Sequence, residues 1–155
     1  MRIIEDPLRH PAVLALIAEH LADMHATSPP ESIHALEVDA LRADDITLWA
    51  AWDNEGKDAV LLGCAALKIL SPAELEIKTM RVTAAARGRG VGRRLLEHLL
   101  EQARARGARR LSLETGVEDY FAAARRLYQR AGFVECPPFG TYREDPNSVF
   151  MTREI

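Results

Sequence analysis

The chain has 155 residues, 48% of them apolar, and a formal net charge of −3, the size and composition of one globular domain with a real core. Its start, Met1-Arg2-Ile3-Ile4-Glu5-Asp6, lacks the apolar run of a signal peptide, and no segment approaches the roughly 20 apolar residues that cross a bilayer, so a single cytoplasmic domain over residues 1–155 with no membrane partner is expected. Residues 1–80 hold 6 Lys/Arg against 14 Asp/Glu, a balance of −8, and residues 81–155 hold 14 against 9, a balance of +5; a basic sheet with interleaved aromatics is missing, which disfavours nucleic acid and leaves the second half suited to an anionic small molecule.

Residues 2–5 read as a short first strand. Asp6 with Pro7 predicts a helix start, followed by an apolar face of Val13, Leu14, Ile17, Leu21 and Met24. Two prolines in Thr27-Ser28-Pro29-Pro30-Glu31-Ser32 end that helix, and a short one follows from about Ile33 to Leu41. Ile46–Trp52 and Ala59–Leu67 flank the turn Asp53–Asp58 and read as an antiparallel pair, the second carrying Cys64. With Cys136 that makes two thiols in a reducing compartment, expected unpaired, and the scattered histidines offer no metal-ligand spacing. After Ser71-Pro72 a fourth strand runs from about Glu74 to Val82. Strict alternation would place Glu76, Lys78, Met80 and Val82 on one face and Ile77, Thr79 and Arg81 on the other.

That strand leads into a loop with glycines at 88, 90 and 92, after which Val91, Leu95, Leu96, Leu99 and Leu100 recur at the spacing of one helix face. The first N–H groups of a helix have no intrahelical acceptor and carry the positive end of its dipole, so an anion is their natural partner. Glycines let it approach, and Arg87, Arg89, Arg93 and Arg94 add charge, so the stretch is expected to cradle a pyrophosphate. The Walker pattern fails because no lysine occurs after Lys78, and the dinucleotide fingerprint fails because Leu95 stands where the third glycine belongs. The helix should end near Arg106-Gly107. Arg109–Thr115 reads as a fifth strand, Ala122–Ala131 as a helix, Phe133 as the start of a sixth strand, and Val149–Thr152 as a seventh. The result is an α/β fold, a mixed sheet with helices on both faces.

Arg87, Gly90 and Gly92 match the acyl-CoA loop pattern Arg/Gln-x-x-Gly-x-Gly/Ala, and Ala124, Leu127, Tyr128, Gly132 and Phe133 match a second pattern, Ala-x-x-Leu-Tyr followed by Gly-Phe. With both in register, the chain resembles the GCN5-related N-acetyltransferase (GNAT) family, over roughly residues 59–135 and more loosely throughout. The resemblance implies a single domain with a mixed, mostly antiparallel central sheet of about seven strands. It also implies transfer of an acetyl group from acetyl-CoA, as co-substrate, to a primary amine by direct attack in a ternary complex, with no metal and no covalent enzyme intermediate.

By the same resemblance, the cofactor-binding residues are Met80, Arg81, Val82, Arg87, Gly88, Arg89, Gly90, Val91, Gly92, Arg93, Phe121 and Tyr128. Met80 and Val82 would lend backbone groups to the pantetheine arm, and a bulge near them would splay the fourth and fifth strands. Phe121 stands where many relatives carry an asparagine that contacts the cofactor. Tyr128 would protonate the leaving thiolate, with a core tyrosine as the bland alternative. Glu76 would be the general base, its pKa raised by burial, or else a strand glutamate pairing with Lys78 or an arginine, with Glu114 as rival base. The overhanging helix–loop–helix and the loops with His25, Glu31, His34, Tyr142, Asp145 and Asn147 leave the acceptor open between a small-molecule and a protein amine; a homodimer is also left open. A non-catalytic acetyl-CoA-binding sensor or interaction domain is the competing reading, and a nucleotide-binding domain a third.

Overall fold

The computed structural model describes residues 1–32 and 38–155. Seven strands form one sheet: β1 (Arg2–Glu5), β2 (Ile46–Asp53), β3 (Val60–Ser71), β4 (Glu74–Val82), β5 (Arg110–Gly116), β6 (Val134–Glu135) and β7 (Ser148–Glu154), in the order β1-β2-β3-β4-β5-β7-β6. β4 and β5 run parallel, and every other neighbouring pair is antiparallel. Helices α1 (Pro11–Thr27) and α2 (Val38–Leu41) cover one face, and α3 (Val91–Ala105) and α4 (Ala122–Arg130) the other. The mixed, mostly antiparallel sheet with helices on both faces is as expected. The expected helix from about Ile33 falls in part on residues 33–37, outside the described residues.

Each helix is seated by its apolar stripe. Leu95, Leu96, Leu99, Leu100 and Ala103 of α3 are buried against Leu67, Leu75, Ile77, Leu111 and Leu113 of the sheet, and Val13, Leu16 and Ile17 of α1 against Leu48, Trp52, Cys64 and Ala66. The C-terminal half of α1 buries nothing apolar to the same degree. Its start also departs from expectation: Asp6 Oδ1 accepts from the N–H groups of Leu8 at 2.7 Å and Arg9 at 3.2 Å, so Asp6-Pro7 makes a turn. The helix begins at Pro11, capped by His10, whose Nδ1 accepts from Ala12 N–H at 3.1 Å.

β4 corrects the expected alternation. Thr79 pairs with Ala66 and Ile77 with Leu67 on the neighbouring strand, leaving Lys78 as one extra residue. Such a bulge inverts the side-chain parity beyond it. Leu75 and Ile77 face α3, and beyond the bulge so do Met80 and Val82. Glu76, by contrast, shares the opposite face with Arg81, which reaches Glu19 and Asp23 of α1. Glu76 and Met80 therefore lie on opposite faces, where strict alternation had put them together.

Candidate active site

The parallel pairing of β4 with β5 stops at Ile77 and Leu113. Beyond it β4 is paired on one side alone, with β3, so the outward backbone groups of Thr79, Met80 and Arg81 have no ladder partner. The bulge sits at Lys78, immediately before the stretch where it was expected. The two strands diverge around a cavity of about 90 Å³ whose wall includes His20, Glu76, Lys78, Glu114, Phe121, Tyr128 and Tyr142.

A larger cleft of about 1170 Å³ runs between α3 and α4 and reaches His20 of α1. Met80, Arg81, Val82, Arg87, Gly88, Gly90, Val91, Gly92, Arg93, Phe121 and Tyr128 line it. Arg89 does not: its guanidinium turns to Asp53 at 3.5 Å, beside the β2–β3 turn. Gly88 and Gly90 have φ of +77° and +78°, a conformation that costs a side-chain-bearing residue, and a Cβ at either would meet nothing within 4 Å. Gly92 is a glycine for another reason, since a Cβ there would stand 3.3 Å from Leu127 Cδ2 of α4. Gly90 caps α3 with no side-chain hydrogen bond, so the first N–H groups of a 15-residue helix face the cleft without a protein acceptor. That donor set, with Arg87 and Arg93 beside it, fits a pyrophosphate.

The cleft and the cavity share His20, Met80, Phe121, Ala124 and Tyr128. Tyr128 comes from α4, its ring edge-on to Phe133 at 5.9 Å, within the α3-side core. It is thus a core tyrosine that also faces both spaces. Burial, with the nearby Glu114 carboxylate, pushes its hydroxyl up to about 12, so it stays protonated at neutral pH.

The two candidate carboxylates differ sharply. Glu76 is buried and satisfied: its Oε2 accepts from the Tyr142 hydroxyl at 2.6 Å and lies 3.5 Å from Lys78 Nζ, while Lys78 Nζ donates to the same hydroxyl at 2.7 Å. Burial and the Glu76 charge push the Tyr142 hydroxyl well above its usual range. Glu114 forms no ion pair among the described residues. Burial raises it to about 7, reinforced by Glu76 and Asp145 and opposed by Ser148 and Lys78.

Where α1 meets the cleft, Arg81 Nη2 donates to Glu19 at 2.5 Å and Asp23 at 2.6 Å, and its Nη1 to the Tyr120 hydroxyl at 2.7 Å. Burial, with the neighbouring Arg81 charge, lowers His20 to about 4, so its ring is neutral. Neither Tyr120 nor His20 was marked by the sequence, because no short-range pattern ties α1 to the segment before α4. Of the loop residues named for the acceptor, Tyr142 reaches the cavity and His34 lies outside the described residues. Among the described residues no group of three or more His, Cys, Asp or Glu side chains could hold a metal ion, and no helix is long and apolar enough to cross a membrane.

A family model described as the acetyltransferase (GNAT) family matches residues 13–133. YsnE of Bacillus subtilis, an uncharacterised N-acetyltransferase, is 48% identical over 155 residues, covering 100% of both chains. YedL of Escherichia coli, another uncharacterised N-acetyltransferase, is 45% identical over 147 residues, covering 95% of this chain and 90% of the relative. The crystal structure of a Bacillus subtilis acetyltransferase in complex with CoA superposes with a TM-score of 0.72 at 19% identity, covering 99% of this chain and 98% of that one.

Proposed function

The chain belongs to the GNAT family of acetyltransferases and is an N-acetyltransferase, and from that membership we propose that it moves an acetyl group from acetyl-CoA to a primary amine by direct attack in a ternary complex. The observation that carries this reading is the junction at Tyr128, where a cleft ending in an anion cradle opens onto a cavity holding a carboxylate poised near neutral pH. The CoA held by a solved protein of like fold supports acetyl-CoA as the co-substrate.

In this reading the N–H groups at the start of α3, with Arg87 and Arg93, hold the pyrophosphate, and the unpaired edge of Thr79–Arg81 orients the pantetheine arm. Glu114 takes a proton from the incoming ammonium. The freed lone pair forms the C–N bond at the thioester carbonyl, the C–S bond breaks, and Tyr128 gives its proton to the sulfur. The nitrogen's second proton restores Tyr128, and the first leaves Glu114 for solvent. Glu76, already bonded to Tyr142 and paired with Lys78, is read as organising the cavity rather than as the base. Thiol release from acetyl-CoA across a panel of amines tests the reading, with one N-acetyl amide expected per CoA; acetyl-CoA binding without turnover on any amine would favour the sensor reading instead.

A further inference from the structure

Resting on that acetyltransferase reading, we propose that the acceptor is a small primary amine with no carboxylate beside its nitrogen, an alkylamine rather than an amino acid. Among the described residues lining the cavity, Lys78 is the one cation, and its charge is already engaged. It stands 3.5 Å from Glu76 Oε2 and donates to the Tyr142 hydroxyl at 2.7 Å, which in turn donates to the same carboxylate oxygen at 2.6 Å. The charges of Lys78 and Glu76 cancel within this triangle. Arg81, the buried cation next to the junction, is likewise held by Glu19 at 2.5 Å and Asp23 at 2.6 Å.

His20 and Tyr128 face the cavity uncharged, and Glu114 is a second carboxylate there with no ion-pair partner among the described residues. An ammonium group entering the cavity meets complementary charge there and delivers its proton to the group that needs one. A carboxylate on the same substrate would compete with Glu76 for Lys78 and lie close to Glu114, in a setting where like charges are poorly screened. The rest of the wall carries no charge, with Met24, Ile77, Met80, Leu113, Phe121 and Ala124 as its apolar part beside Thr79, Thr115, Tyr128 and the neutral His20, which suits an alkyl body. At about 90 Å³ the cavity is small beside the cleft of about 1170 Å³, so the body is short.

The test uses three acceptors that share one side chain: isobutylamine, valine and valinamide. Their kcat/KM values are compared at saturating acetyl-CoA after correction for the fraction of each acceptor whose amine is protonated. Isobutylamine should exceed valine by at least roughly tenfold, since like-charge juxtaposition is costly, and valinamide, which keeps the size of valine without its charge, should recover to within about threefold of isobutylamine. Valine equal to or better than isobutylamine would overturn the proposal, as would valinamide as poor as valine, which would mean exclusion by size. Turnover of larger amines with none of these three would also overturn it while leaving the acetyltransferase reading intact. Failure of every amine would overturn both.

Discussion

Lys78 and Tyr142, 64 residues apart in the chain, meet at 2.7 Å inside the cavity, and the Tyr142 hydroxyl passes its own proton toward Glu76 at 2.6 Å. The bond fastens the loop before β7 to the bulge of β4. Tyr142→Phe keeps the ring and its contacts with Phe139 and Phe150 but leaves a buried carboxylate and a buried ammonium each short of a partner. A stability loss of about 1–3 kcal/mol is expected, read as a lower urea midpoint at unchanged slope. An unchanged midpoint would show that the triangle contributes nothing to holding the loop.

Glu114→Gln separates catalysis from stability. With Glu114 near 7 in the folded chain, the rate of the native enzyme should rise with pH to about 7 and level off; the variant should lose that limb and roughly 10²-fold or more of turnover. Stability should move the other way. The folded-state pKa is raised, so between about pH 4.5 and 7 the unfolded chain has released a proton that the folded chain keeps. The penalty is absent below that window, grows with pH, and is fully present above it, on the order of 3 kcal/mol. The variant should thus be more stable than the native protein at about pH 8 and equal to it at about pH 4. Equal midpoints at both pH values would show that Glu114 is not desolvated as described.

Tyr128→Phe deletes one hydroxyl and keeps the ring against Phe133. Turnover should fall by roughly 10²-fold or more, with acetyl-CoA affinity little changed, because an interaction made chiefly in the transition state does not strengthen ground-state binding. Near-native turnover would leave Tyr128 as a packing residue and give the proton transfer to water.

At Gly90, with φ of +78° and open space around a would-be Cβ, two substitutions part conformation from charge. Gly90→Ala adds strain of roughly 1–2 kcal/mol and should weaken acetyl-CoA modestly. Gly90→Glu adds the same strain plus an anion at the start of α3 and should weaken it much further. Calorimetric titration on folded protein checks both. Equal affinities in the two variants would mean that no anion of the ligand sits at that helix start.

The glycine loop, α3 and the two patterns carrying the family resemblance were legible because each depends on residues within a turn or two of one another. The seven strands were legible for the same reason, with ends displaced by a few residues. What failed was parity along β4: the extra residue at Lys78 is set by pairing with β3, a long-range fact, and it moves Met80 and Val82 to the face opposite Glu76. The helix start at Pro11 was obscured by Asp6, whose side chain bonds local N–H groups in a turn as readily as at a cap. The Glu76–Lys78–Tyr142 triangle and the Arg81 cluster join segments distant in the chain, so no spacing announces them. Both glutamates were named from the sequence, but what distinguishes them, one bonded and paired and the other buried without an ion pair, exists only in three dimensions.

Direct transfer between two bound substrates is tested most plainly by initial velocities, with acetyl-CoA varied against isobutylamine and both thiol release and amide formation recorded. Double-reciprocal lines that intersect, with one N-acetyl amide formed for each CoA released, are the expected result. Parallel lines, or CoA released without amide, would contradict it.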